Sequence, residues 1–200
     1  MKPSAAILNG GRARRFEGAD KGSLVVDGRT IRDRQIEMLR AVPGIDEILL
    51  VGGESSHPEA RTIPDRVAEA GPLGGIQAAL ATIAERGGDR AFVLACDMPY
   101  VTADLVAYLI ELSRHADAVV PSTEQGYHPL CAVYTLACLD PIVLRLREGR
   151  LKVQDVLGDV NTTVVRADEL ERFGQRHRLL RNVNTPGDYA ALQISHGHQL

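Results

Sequence analysis

Apolar and polar positions along this chain follow two different periods. Short unbroken apolar runs, "AAIL" at 5–8, "DEILLVGG" at 46–53 and "RAFVLACD" at 90–97, stand between longer stretches whose apolar residues return every three or four positions. The first pattern predicts buried strands and the second amphipathic helices. "SLVVDGRT" at 23–30 carries a turn signal at Asp27-Gly28. Thr30 then opens a helix, with Asp33 three residues on and Ile31, Met38, Leu39 and Val42 at helical spacing before Pro43 stops it. The alanine-rich "GPLGGIQAALATIAERGG" at 71–88 predicts a helix closed by Gly87 and Gly88. Thr102 caps another, whose Leu105, Val106, Leu109, Ile110 and Leu112 make a one-sided stripe.

Further strands are predicted at 117–121, 130–135 and 162–166, with helical stretches near 136–148 and 152–158. "NVNTPGDYAALQ" at 182–193 closes the pattern, Thr185 and Pro186 standing where an N-cap and a first helical residue belong. Strands alternating with helices predict one three-layer α/β domain with a mostly parallel, mixed sheet covered on both faces. The domain is expected over 1–194, with 195–200 as a C-terminal tail.

Composition narrows the function. The chain has 200 residues, 44% of them apolar, and a formal net charge of −3. That charge argues against a nucleic-acid partner. No apolar run approaches a membrane span and no signal peptide is visible, so no membrane partner is expected. Cys96, Cys131 and Cys138 are odd in number and lack metal-ligand pairing, which reads as reduced thiols in a cytoplasmic protein. The "HGH" near the C-terminus reads as part of a frayed end.

The charge is not evenly spread. Arg12, Arg14, Arg15 and Lys21 fall within ten residues, directly after the first strand and beside Gly10 and Gly11. Open α/β sheets bind ligands at the carboxyl ends of their strands. No Gly-Lys-Ser/Thr occurs, so this is no P-loop, and Gly10-Gly11-Arg12 lacks the dinucleotide spacing. Small residues with a basic run, ending in Asp20-Lys21-Gly22, suit the cradling of several phosphate charges; a solvated surface turn is the bland alternative.

Asp97, at the end of the most apolar strand, should emerge at the same edge. Such a carboxylate either caps a loop N–H or holds a hard cation such as Mg2+, which takes oxygen ligands together with substrate phosphates. Cations in one loop and a metal-holding carboxylate in the next would form a nucleoside-triphosphate site. Gly71, Gly74 and Gly75 open the following helix, either for close packing or for backbone approach to a ribose or base. Asp65 reads as a base-binding group or a loop cap, and His128 as a substrate contact or a structural loop residue.

Taken in order, "LNGGRARRFEGADKG", "DRVAEAGPLGGIQAAL", "LACDMPYV", "YHPLCAVY" and "NVNTPGDY" resemble the motifs of molybdenum cofactor guanylyltransferases. These are nucleotidyltransferases of the sugar-nucleotide pyrophosphorylase type, and the resemblance runs from about residue 5 to 190. It implies a Rossmann-like three-layer domain that joins GMP from GTP to the phosphate of molybdopterin, with Mg2+ as cofactor and pyrophosphate released. It further implies that Leu8, Asn9, Gly10 and Gly11 meet the nucleotide, with Asp65 and Gly74 in its pocket. Lys21 would bind phosphate, Asp97 would hold the metal, and Arg15, Lys21 and Asp97 would carry catalysis. His128, Asn182 and Asn184 would face the pterin substrate. Transient contact with molybdopterin-donating and molybdoenzyme-maturation proteins follows from the same resemblance.

The chain departs from the family pattern at Asn9 (usually alanine), Phe16 (usually methionine) and Glu17 (often glycine). The nucleophile, a phosphate oxygen, is already ionised at neutral pH, so no Ser/His/Asp constellation is needed; the enzyme must bring two anions together and absorb charge. The competing readings are a molybdopterin cytidylyltransferase, a sugar-phosphate nucleotidyltransferase and, in another class, a non-catalytic nucleotide-binding adaptor.

Overall fold

Residues 2–9, 21–53, 55–67, 69–185 and 187–190 are described in the computed structural model of the chain. Gly10, Gly11, Arg12, Arg14, Arg15, Phe16, Glu17, Gly18, Asp20 and Pro186 lie outside them, as does the C-terminal tail.

The strands are β1 (Ser4–Leu8), β2 (Val25–Val26), β3 (Arg29–Thr30), β4 (Ile48–Val51), β5 (Arg61–Ile63), β6 (Arg90–Ala95), β7 (Ala118–Thr123), β8 (Gly126–Tyr127), β9 (Cys131–Thr135) and β10 (Thr162–Val165). The helices are α1 (Ile31–Arg40), α2 (Gly71–Glu85), α3 (Ala103–Leu112), α4 (Leu139–Arg147), α5 (Ala167–Leu170) and α6 (Arg176–Leu179). Apolar runs that look uniform in sequence divide by pleat parity. Ala5, Ile7, Ile48, Leu50, Phe92 and Leu94 face one core with Ile36 and Leu39 of α1 and Leu105, Val106 and Leu109 of α3. Their neighbours Ala6, Leu8, Leu49, Val51, Ala91 and Val93 face the other, under α2 and Ile142 of α4. A strand buried on both sides needs apolar residues at every position, and this is why the runs are continuous.

Helix boundaries follow their capping chemistry. The Thr30 hydroxyl accepts the Asp33 N–H at 3.0 Å to start α1, and Thr102 accepts from Leu105 at 3.5 Å to start α3. α2 ends at a left-handed Gly87 (φ 79°), with Gly88 N–H donating to the Ile83 carbonyl and Gly87 N–H to that of Ala84. This is the Schellman pattern, and Gly87 supplies the positive φ it requires.

The main sheet has the order β10-β7-β9-β6-β1-β4-β5, with β8 paired to β7 and a separate β2–β3 hairpin. β1 is parallel to both β4 and β6, whereas β9 runs antiparallel between β6 and β7. After β1 the chain builds outward through β4 and β5, then crosses back to place β6 on the other side of β1. The strand order therefore reverses at the β1/β6 pair, and the carboxyl ends of these two strands flank the crevice where such sheets bind ligands.

Several stretches differ from the sequence pattern. β5 falls where only a polar loop is expected: Arg61 and Thr62 are exposed, and the strand exists because its backbone pairs with Leu49–Val51 at the sheet edge. The stretch 136–148 divides into a 3-10 turn, Leu136–Cys138, followed by α4, and the helical stretch expected at 152–158 is a 3-10 turn over Val153–Gly158. Short helical turns occupy 167–179, where no period is legible. Cys131 and Cys138 are buried free thiols whose pKa values burial pushes up to about 12, and Cys96 is partly buried.

Candidate active site

Lys21 begins a 3-10 turn, Lys21–Ser23, and reaches toward the end of β6. Its ammonium donates to Asp97 Oδ2 at 2.9 Å and to Asn184 Oδ1 at 3.0 Å. Asn182 Nδ2 donates to the other Asp97 oxygen at 3.2 Å. One cation, one carboxylate and two amides thus close a hydrogen-bonded cluster, with the Lys21 and Asp97 side chains 19% and 12% exposed. Three segments far apart in the chain supply it.

Each segment is braced from behind. The Cys96 N–H donates to the Leu8 carbonyl at 3.3 Å, which ties the end of β6 to that of β1. Gln35, buried on α1, donates through Nε2 to the carbonyls of Ala95 (2.8 Å) and Met98 (3.0 Å), on either side of Asp97. The Asp97 carbonyl accepts from the Val183 N–H at 2.8 Å. Val183 is fully buried with Val26 and Ile31, and its two flanking asparagines both reach the Lys21–Asp97 pair. Asp188 Oδ2 accepts from the N–H groups of Asn184 (3.0 Å) and Thr185 (2.8 Å), and Thr185 Oγ1 accepts from Asp188 N–H at 3.1 Å. Thr185 is thereby confirmed as a cap. The Thr185 side chain, those N–H groups and the charge of Arg181 hold the Asp188 carboxyl below its ordinary pKa against a smaller desolvation effect.

A second brace binds the β2–β3 hairpin to the segment before Asn182. Asp27 approaches Arg34 at 3.4 Å and Arg178 at 3.8 Å, while the Arg178 guanidinium lies 4.0 Å from the centre of the Tyr100 ring. The Tyr189 hydroxyl donates to the Val25 carbonyl at 2.8 Å. Gly22 lies close to Arg32: a Cβ there would stand 2.8 Å from Arg32 Nη2, which itself donates to Ser55 Oγ at 3.0 Å.

Beside the cluster opens a cleft of about 770 Å³, whose walls include Thr123, Gln125, His128, Arg181, Asn182 and Asn184. His128 N–H donates to the Pro121 carbonyl at 2.9 Å, and its Nε2 lies 2.9 Å from Thr123 Oγ1. The next carbonyl, of Pro129, accepts from the fully buried Tyr134 hydroxyl at 2.8 Å. Burial lowers the His128 pKa, so the ring is neutral at pH 7 and presents a polar, uncharged wall.

Lys21, Asp97, Asn182 and Asn184 therefore meet, and His128 lines the adjoining cleft. The other sequence candidates stand apart. Leu8 is buried, its side chain within 3.1 Å of where a Cβ on Gly75 would lie, and its carbonyl is taken by Cys96. Asn9 N–H donates to Val51, but both polar atoms of its side chain are buried with no partner among the described residues. Asp65 is exposed between β5 and α2, with its pKa raised by partial burial. A Cβ on Gly74 would lie 2.7 Å from that of Ala70, so close packing alone calls for glycine there. Gly10, Gly11 and Arg15 lie outside the described residues.

Gln35 is absent from the sequence reading, although a signal was present: it stands four residues after Ile31 and four before Leu39, on the core stripe of α1. A polar residue at a core position needs partners, and here the partners are the active-site loop's carbonyls. Gln35→Leu should lower stability by about 2 kcal/mol, because the Ala95 and Met98 carbonyls both lose a bond from the buried amide. Chemical denaturation measures this, and an unchanged midpoint would show that water replaces the amide.

A mostly parallel sheet that reverses its order at β1/β6, with charged and amide side chains gathered at the reversal, places the chain among α/β proteins that bind ligands at a topological switch point. The family model of the MobA-like NTP transferase domain matches residues 5–163. A "probable molybdenum cofactor guanylyltransferase" of Pelotomaculum thermopropionicum is 33% identical over 97% of this chain and 93% of its own. The "molybdenum cofactor guanylyltransferase" of Desulfosudis oleivorans is 31% identical over 90% and 88%. Among solved structures, the molybdopterin-guanine dinucleotide biosynthesis protein A of Archaeoglobus fulgidus superposes with a TM-score of 0.80 at 25% identity, covering 96% of this chain and 97% of that one. The chain belongs to the molybdenum cofactor guanylyltransferase family, within the MobA-like NTP transferases. No helix among the described residues is long and apolar enough to cross a membrane.

Proposed function

We propose that this protein transfers GMP from GTP to the phosphate of molybdopterin in the cytoplasm, forming molybdopterin guanine dinucleotide. An oxygen of the acceptor phosphate attacks the α-phosphorus of GTP. The new P–O bond forms as the α–β bridging bond breaks, and its electron pair leaves with pyrophosphate. The observation that carries this reading is the Lys21–Asp97–Asn184 cluster at the switch point, open to a cleft large enough for a second substrate.

Both reactants are anions, so the protein's task is to bring them together and to spread charge toward the leaving group. Lys21 does this in the scheme, together with Arg15. Leu8, Asn9, Gly10, Gly11, Asp65 and Gly74 hold the nucleotide in this scheme, while His128, Asn182 and Asn184 hold the pterin. Molybdopterin-donating and molybdoenzyme-maturation proteins are the transient partners it calls for.

The donor set also suits Mg2+. No group of three or more His, Cys, Asp or Glu stands together among the described residues. Magnesium, however, commonly uses only one or two carboxylates beside substrate phosphates. Asp97 Oδ2 and Asn184 Oδ1 are hard oxygens that already converge on one cation, the Lys21 ammonium. Asp97 and Asn184 would hold the ion with Lys21 turned toward phosphate, and the bound ion would supply Lewis-acid neutralisation of phosphate charge.

Pyrophosphate release from each of the four triphosphates, with and without molybdopterin, tests the reading. GTP with molybdopterin should outpace CTP, ATP and UTP by roughly a hundredfold or more, since a pocket that pairs with one base leaves buried groups unpaired against another. Equal use of CTP would overturn the guanylyl assignment and favour the cytidylyl one. Nucleotide binding without any release would favour the adaptor.

A further inference from the structure

Among the described residues, the cleft beside the cluster holds a cation, Arg181, that no carboxylate grips in a salt bridge. Arg181 is fixed at the backbone on both sides. Leu180 before it is buried in the core, and the Asn182 side chain after it donates to Asp97. Its own N–H donates to the Arg178 carbonyl at 3.1 Å. Its side chain lines the cleft, yet it makes no ion pair or side-chain hydrogen bond within the described residues. The neighbouring cations among the described residues are engaged: Lys21 by Asp97, and Arg34 and Arg178 by Asp27 and Tyr100.

The acidic groups facing the same space do not satisfy it. Asp188 feels the charge of Arg181, but its Oδ2 is committed to the N–H groups of Asn184 and Thr185. Glu124 lines the cleft from the turn between β7 and β8 but makes no ion pair with Arg181, and burial lowers the pKa of His128 beside it. A guanidinium held in a cleft without a bidentate partner is a site for an incoming carboxylate or phosphate, whose two oxygens match its fork.

We infer that Arg181 anchors the terminal phosphate of the acceptor and so makes this cleft selective for a phosphate monoester. The inference rests on the proposed acceptor reaction and adds to it a residue that the sequence motifs do not single out. Two oxygens of the phosphate would lie on the guanidinium, which leaves the third to face the Lys21–Asp97 cluster. Asn182 joins the two sites directly, since it follows Arg181 in the chain and donates to Asp97.

Steady-state kinetics of Arg181→Ala and Arg181→Lys, with GTP and molybdopterin varied separately, test the assignment. Arg181→Ala should raise the acceptor KM at least about tenfold while the GTP KM stays within about twofold, and lysine should restore part of the loss. An unchanged acceptor KM, or an equal rise in both constants, would overturn it. A second measurement does not depend on turnover. The Arg181 Nε–Hε resonance, assigned by its absence in Arg181→Lys, should shift saturably with inorganic phosphate in the wild-type protein; no shift would reject the anchor. Wild-type protein that binds phosphate at Arg181 but never transfers GMP would sink the molybdopterin reading alone.

Discussion

Replacing Lys21 by alanine should slow GMP transfer by at least about a hundredfold, the cost of losing one preorganised charge partner in a transition state. Lys21 is the only described cation that touches both Asp97 and Asn184, so its removal takes away the group joining the two halves of the site. The lost ammonium would have accepted charge moving toward pyrophosphate. Asp97 would keep only its bond from Asn182, and a largely buried carboxylate would be left without its counter-ion. A modest fall in stability is expected, with the core intact, because Lys21 packs in neither apolar cluster. Lys21→Arg should not rescue fully, since a planar fork cannot replace a compact charge held between two oxygens. Single-turnover rates at saturating GTP give the readout. Wild-type turnover in Lys21→Ala would reduce the residue to a structural ion pair.

The second large effect is expected at Asp97. Asparagine has nearly the same shape, and its oxygen could still accept from Asn182 or from Lys21. Two acceptor oxygens become one, however, and the negative charge is lost. If Asp97 served only to hold these neighbours, Asp97→Asn would retain much of its activity. If it also holds a dication, a neutral amide is a far poorer ligand, and metal-dependent turnover should fall by roughly a hundredfold or more. The bond from the Val183 N–H goes to the Asp97 backbone, so the loop should keep its path and the variant should remain folded. The magnesium dependence of GMP transfer, measured beside thermal denaturation, separates the two cases. A wild-type rate and metal requirement in a folded variant would reject the metal role.

Much of this molecule is determined within a few residues at a time. The continuous runs at 5–8 and 90–97 are strands buried on both faces. Thr30, Thr102 and Thr185 cap where their neighbours allow, and Gly87 ends α2 because it alone takes the left-handed conformation cheaply. Asp97 could be placed at the sheet edge because it follows the most apolar strand by two residues. The order of the motifs was enough to suggest the family.

What tertiary structure decided has a different physical origin. Arg61 and Thr62 carry no apolar signal, and β5 exists only because β4 offers it unpaired backbone groups. The antiparallel entry of β9 between β6 and β7 depends on which edges remain when those strands assemble. Gln35 has a role only because α1 packs behind the loop carrying Asp97, and Arg181 lines a cleft only because the turn after β7 is brought to it. Lys21 and Asn184 are 163 residues apart, and Lys21 and Asp97 are 76. Propensity, periodicity and capping act through backbone neighbours about four residues apart. A charge cluster assembled from three distant segments is set instead by strand order and by which faces are buried, and those emerge only when the whole sheet closes its two cores.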